Sequence, residues 1–354
     1  MADYTDIDDS SAFFQTKLYT GNGGTNAITF DGLNDMQPDW VWIKNRTLSG
    51  GYAHNLFDSV RGTNKKLVTN DTRVETSETN ALNSFNSNGF TLGEDSGTEE
   101  VNRDDGVQVS WNWKAGTSFS NDASATSVGS IDSVGSVSTT AGFSIISWTS
   151  PNNSVATIAH GLGSVPTMII MKKRGATGGW VTYHRALENT HGIFLSTTAA
   201  KEDNAAFFND TSPTSTVFTT GSDAALVSNT MIAYCFADVQ GFSKMGSYVG
   251  NGNANGPYIH LGFKPAFLLV KLASGTDDWQ ILDNKRSPNN IVGGYLRPND
   301  SGVTVDNDVI DFTSNGFKLR TSAGSWNPAG GTFIYMAFAE QPFVTSTGVS
   351  ATAR

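Results

Sequence analysis

The sequence predicts an all-β protein: three tandem antiparallel β-sandwich repeats of the lectin or jelly-roll kind, each about 100 residues long. Three observations carry that expectation. Only 16% of the 354 residues are charged while Gly alone fills 37 positions among abundant Ser, Thr and Asn, a mixture that favours turns and strands over helices. A Gly/Asn-rich turn, a strand and a Pro-apolar-Lys run return three times. Each segment closes on an aromatic strand.

The recurring run is "PDWVWIK" at 38–44, "PTMIIMK" starting at Pro166 within "VPTMIIMKK", and "PAFLLVK" at 265–271, with Pro and Lys six apart each time. Such short, β-prone runs read as buried strands with proline at their first position. Eight residues after the Lys stand Trp180 and Trp279, and four further on His184 and Asp283; His54 and Asp58 take these places in the first segment after a loop two residues longer. Next come "KLVTND", "FLSTTA" and "YLRPND". The pairs Asn88-Gly89 and Asn315-Gly316 suit the positive φ of a tight hairpin. The closing strands are "VQVSWNWKA", "TMIAYCFAD" and "TFIYMAFAE", in which alternation puts Trp111 with Trp113, and Tyr234 with Phe236, on one face.

The expected boundaries are 1–114, 142–240 and 241–341 for the three sandwiches, with 115–141 between the first two and a polar tail at 342–354. Each sandwich is expected to keep a core of its own, and the second and third, which meet without a linker, to pack as a rigid pair. The stretch 115–141 is Ser/Gly/Thr-rich with spaced Val128, Ile131, Val134 and Val137, so it reads as a flexible linker or as an extended arm. The tail is a docking peptide or a frayed end. The arm and the apolar strand edges suggest a homo-oligomer, a trimer being one form.

A net charge of −10 disfavours nucleic acid. The opening "MADYTDIDDSSAFF" has neither the basic nor the apolar part of an export signal, and no run approaches a membrane span, so synthesis in a cytoplasm without membrane insertion is expected. The single cysteine, Cys235, lies in an apolar strand and reads as inert packing.

The order of motifs runs from "YTGNG", "PDWVWIKNR", "FDSVRG", "NSNGFTLG" and "WNWKAG" through "AGFSI", "AHGLGSVP" and "YCFADVQGFSKMGSYVGNG" to "GFKPAFLLVK" and "FIYMAFAEQPFVTSTG". It resembles a family of phage virion proteins, common in marine phages and cyanophages, over nearly the whole chain. The resemblance implies a tail-fibre-like or otherwise structural protein, and some similar sequences are assigned to concanavalin-like or laminin-G-like sandwiches. It implies no catalytic residues.

The search for chemistry points the same way. The five histidines lack the spacing of a zinc site and read as core or turn residues, His160 bonding around its own turn. Asp58 with Arg61, and Asp283 with Arg286, recur three apart and read as loop-fixing ion pairs; the second segment has His184 and Leu187 instead. The acidic stretch "GEDSGTEEVNRDDG" could wrap a calcium ion but lacks the EF-hand order, so a solvated hairpin is the competing reading. The Gly-rich "GNGGTN" and "GNGNANG" lack the Lys-Ser/Thr of a phosphate loop. Tyr52, Trp148 and Trp326 fall in loop-like contexts and are the candidates for contact with a sugar face or a protein partner.

The functional expectation is a non-enzymatic virion protein exposed on the particle and acting in attachment, as a tail fibre, receptor-binding, capsid-decoration or knob protein, with other virion proteins and host glycans as partners. The alternatives are a glycan-degrading tailspike-type enzyme and a tail adaptor.

Overall fold

The computed structural model describes every residue except 1–3, 96, 98, 99, 153, 353 and 354. Its regular structure is almost all strand. Its helices are single turns, Ala123–Thr126 and Ala205–Phe208, with two short 3-10 turns at Ser10–Ala12 and Arg185–Leu187.

Three antiparallel sheets share one strand order. In the first, Phe14–Thr20 pairs with Val107–Trp113, then come Trp40–Asn45, His54–Asp58 and Lys65–Val68. In the second, the same order runs through Phe143–Thr149, Thr230–Phe236, Met168–Lys173, Val181–His184 and His191–Phe194. In the third it runs through Ser243–Val249, Thr332–Pro342, Phe263–Leu272, Trp279–Asp283 and Val292–Leu296. The register is also shared: Trp42 lies opposite Trp111, Ile170 opposite Tyr234, and Leu269 opposite Met336. Pro38 and Pro166 precede their strands, whereas Pro265 lies inside one, at an irregularity of register that accommodates its missing N–H.

Strand alternation divides the side chains between two layers. Val41 and Ile43 face outward and pack against a small sheet of Asn26–Ile28, Gly89–Leu92 and Leu82–Asn86. Ile169 and Met171 do the same in the second sheet, beneath Ala156–Ala159, Val217–Thr220 and the helical turn with Phe207 and Phe208. In the third, Val305–Thr313 carries the main sheet round into its own cover, so both layers are one continuous eight-stranded sheet. At the hairpin after Ser87 and Asn88 it is the glycine that the turn demands: Gly89 has φ +108, and a Cβ there would sit 1.9 Å from Ile28 O. Gly316 shares the close approach, with Ile259 O at 2.1 Å, but not the positive φ, and neither Asn88 nor Asn315 adopts positive φ.

The inner faces differ from the expectation of three separate cores. Trp40, Trp42, Trp111 and Trp113 of the first sheet, Ile170, Tyr234 and Phe236 of the second, and Phe267, Leu269 and Phe338 of the third form one buried cluster. Trp40 stacks on Tyr234 with centroids 4.5 Å apart, Trp113 meets Phe338 edge-on at 5.6 Å, and Phe236 meets Phe338 at 6.0 Å. The reason is chemical. Trp40–Asn45 and Met168–Lys173 are apolar on both faces, so a sheet covered on its outer side alone would leave a row of large apolar side chains in water, each worth roughly 1.5–3 kcal/mol on burial. The first sheet therefore packs against both others, and the second and third are not a separate pair.

The Ser/Gly/Thr-rich stretch is sheet. Thr117–Asn121 and Ser133–Ser138 pair with each other and extend the second main sheet beyond Phe143–Thr149, and Asp122 Oδ1 caps the intervening helical turn by accepting from Ser124 N and Ala125 N. Both chain ends close on the third sheet's side of the molecule. Tyr4 donates its hydroxyl to Gly262 O at 2.7 Å, Thr5 Oγ1 to Gln240 O at 2.9 Å, and Ser346 N to Asp8 Oδ1 at 2.6 Å. Phe343 packs edge-on to Tyr4.

Candidate functional site

Most of the ionisable side chains singled out from the sequence converge where the three sheets meet. Asp58, His184 and Asp283 end corresponding strands, are fully buried, and each reaches the closing strand of the next sheet. Asp58 Oδ2 accepts from the Tyr234 hydroxyl at 2.7 Å. Asp283 Oδ2 accepts from Trp111 Nε1 at 2.9 Å. His184 Nε2 lies 3.2 Å from Tyr335 O. The contacts form a cycle: first to second sheet, second to third, third to first.

This explains the departure of the second segment. Trp111 and Tyr234 each bring an N–H or O–H to the carboxylate, but Met336 holds the corresponding place in the third sheet and has no proton to donate. A carboxylate facing it would be buried without a donor. Histidine instead reaches the neighbouring backbone carbonyl and stays neutral, because burial pushes its pKa down to about 4. No cation is then required, and Leu187 stands where Arg61 and Arg286 stand.

Arg61 is wholly buried. Its Nε and backbone N bond Asp58, Nη2 donates to Leu56 O at 3.0 Å, and Nη1 donates to Lys65 O at 2.8 Å and Glu75 Oε2 at 3.2 Å. Burial disfavours its charge, but Asp58, Tyr234 and Glu75 outweigh that cost and hold the guanidinium protonated. Glu75 also receives Arg174 Nε at 2.9 Å and Nη2 at 3.0 Å from the second sheet, a bidentate pair.

The three strand-ending lysines run the opposite cycle. Lys44 Nζ donates to Tyr52 O at 2.8 Å in its own hairpin and to Ser301 O at 2.9 Å in the third sheet. Lys172 Nζ reaches Gly178 O at 2.9 Å and, in the first sheet, Thr72 O at 3.3 Å. Lys271 Nζ reaches Leu272 O at 2.7 Å and, in the second sheet, Thr198 O at 3.2 Å. Burial brings each ammonium down to about 8, against the pull of nearby acids. Backbone bonds follow the same path: Glu75 N to Arg174 O, Lys201 N to Ala273 O, and Thr304 N to Arg46 O.

The Gly/Asn turns wrap a buried asparagine that sequence reading missed. Asn102 Nδ2 donates to Gly24 O, Gly93 O and Asn22 Oδ1, and its Oδ1 accepts from Asn22 N. Asn327 repeats this with Asn253 O, Thr321 O, Asn251 Oδ1 and Asn251 N. A signal was present, an Asn shortly before each closing strand. It carries no weight until the fold brings it under the turn.

The proposed contact residues fare differently. Trp148 is 3% exposed, with Nε1 donating to Ser150 Oγ, and Trp326 is 2% exposed, edge-on to Tyr295. Both rings pack inward, because their strand and turn turn them to the core, so neither offers a free face. Tyr52 is half-buried beside Gly50. In the acidic stretch, Asp95 accepts from Gly97 N and Asn102 N, and Glu100 from Ala53 N; Glu99 lies outside the described residues. Among the described residues no three His, Cys, Asp or Glu side chains gather as a metal site. His160 does bond its own turn, accepting from Leu162 N at 3.2 Å. Burial pushes the Cys235 thiol up to about 12.

Residues 9–342 match the family described as a domain of unknown function, DUF7483, and the chain belongs to that family. No curated protein and no solved structure matches it.

Proposed function

We propose that this chain is a non-enzymatic structural protein of a phage particle, exposed on the virion and acting in attachment, and that its three sheets are tandem copies of one sandwich module. The observation that supports the reading is the use made of its chemistry. The paired acids and arginines, the lysines and His184 hold the sheets to one another, which suits a part that must stay folded outside a cell. The resemblance of its motif order to phage virion proteins gives the location. Its partners are then other virion proteins and a host surface glycan, and it is displayed as a homo-oligomer.

Labelling purified particles with an antibody to this chain, followed by electron microscopy, tests the location, and absence of label from particles overturns it. Incubation with host polysaccharide tests the rest, since release of reducing ends would make the protein a glycan-degrading enzyme. Sedimentation as one 37.7 kDa species would remove the homo-oligomer.

A further inference from the structure

The junction of the third and first sheets repeats that of the first and second, with one group missing. Thr304 follows Asp300 by four residues as Glu75 follows Asp71, Arg46 follows Lys44 by two as Arg174 follows Lys172, and Arg286 follows Asp283 as Arg61 follows Asp58. The backbones coincide in kind: Glu75 N donates to Arg174 O at 2.9 Å, and Thr304 N to Arg46 O at 3.1 Å. Arg286 uses Nε and Nη2 as Arg61 does, on Asp283 and on Ile281 O. At the first junction the Glu75 carboxylate lies between two guanidiniums; at the other the threonine side chain is too short to reach either.

The consequence is a set of buried donors aimed at nothing. Arg286 has a side chain only 1% exposed, yet its Nη1 has no partner, and neither do the buried Nε of Arg46 and Oγ1 of Thr304. A buried donor left without a partner is destabilising. The residues that carry these groups line one hollow of about 400 Å³ together with Thr47, Ser287 and Asp306. At the first junction two arginines meet two carboxylates, Asp58 and Glu75. At this one Asp283 pairs with Arg286 and acts on Arg46 only through its field, while Asp306 lines the hollow and, among the described residues, forms an ion pair with neither arginine. Burial together with the neighbouring Arg286 lowers the pKa of Arg46, against the pull of Asp283.

We propose that this hollow binds the carboxylate of a small hydroxylated acid, a uronate being the class that fits, with its carboxylate in the position that Glu75 fills at the first junction. A planar carboxylate matches a guanidinium fork. Thr47 and Ser287 supply hydroxyls for the rest of the molecule. The site does not depend on where the protein acts, so its failure leaves the virion reading standing.

Calorimetric titration of the whole chain with glucuronate, acetate, glucose and inorganic phosphate at low ionic strength tests this. The expected result is one site for glucuronate and acetate, none for glucose, and phosphate weaker than either acid. Thr304→Glu restores the missing carboxylate and should abolish binding, while Glu75→Thr should open a second site. If Thr304→Glu does not fold, Arg46→Gln, at a half-exposed side chain, should still weaken binding at least about tenfold. A uronate-containing oligosaccharide that binds more tightly than free glucuronate would identify a glycan as the source, and equal affinity would identify the free acid. No binding of any carboxylate, phosphate binding more tightly, or affinity unchanged in Arg46→Gln would overturn the proposal.

Discussion

The hydroxyl of Tyr234, in the second sheet, donates to Asp58 Oδ2, in the first, at 2.7 Å, and both side chains are fully buried. The bond joins residues 176 apart in the chain. Tyr234→Phe keeps the ring that stacks on Trp40 and removes only this donor. We expect a loss of about 1–3 kcal/mol, read from chemical denaturation. A variant as stable as the parent would mean that the Asp58 carboxylate is satisfied by Arg61 alone.

The corresponding place in the second sheet makes the reverse prediction. His184→Asp puts a carboxylate opposite Met336 with no donor and no cation. We expect about 3–5 kcal/mol of destabilisation, or proton uptake in its place. Adding Leu187→Arg should recover part of this through an ion pair. Full recovery in the double variant would show that the missing donor at Met336 is immaterial.

The buried asparagines should matter more than their exposed turns. Asn102→Ala or Asn327→Ala strips several bonds from one turn at once, and a loss of at least about 3 kcal/mol is expected. Amide exchange should quicken at residues 21–24 in the first variant and 250–253 in the second. Exchange unchanged at those residues would mean that the turns hold their shape by themselves.

Acid should unfold the protein through its histidines. Burial lowers His160 and His184 to about 4, whereas in an unfolded chain they titrate near 6.5. The unfolded state therefore binds more protons between these values, and stability is full above pH 6.5 and lost as the pH falls toward 4. Each shift corresponds to about 3 kcal/mol at its limit. Unfolding free energy measured across this range should fall with pH, and His184→Gln should fall less steeply; a flat profile would refute the assignment.

Much of this architecture is legible in the sequence because period-two alternation and the Pro-to-Lys spacing are local. Trp111 with Trp113 and Tyr234 with Phe236 share faces as alternation requires, and the strands starting at Trp40, Met168 and Phe263 hold like places in their sheets. The shared core was not legible. Nothing local distinguishes a strand buried by its own cover from one buried by another sheet as well, and Trp40 meets Tyr234 only once residues 194 positions apart are brought together. Trp148 and Trp326 look like loop aromatics for the related reason that Gly, Ser and Asn surround them in sequence, while burial is decided in space. The lysines were visible as a spacing, but their partners, Ser301, Thr72 and Thr198, belong to other sheets. Glu75 carried no signal until Arg61 and Arg174 closed on it.

The strap at the amino end has a consequence for synthesis. Tyr4, Thr5 and Asp8 are made between 235 and 338 residues before Gln240, Gly262 and Ser346, which hold them. Until the second and third sheets are made the nascent first sheet carries four tryptophans on an uncovered face, so the ordinary vectorial order, in which an early domain finishes before a later one starts, is closed to this chain. The strap locks only after all three sheets have been made.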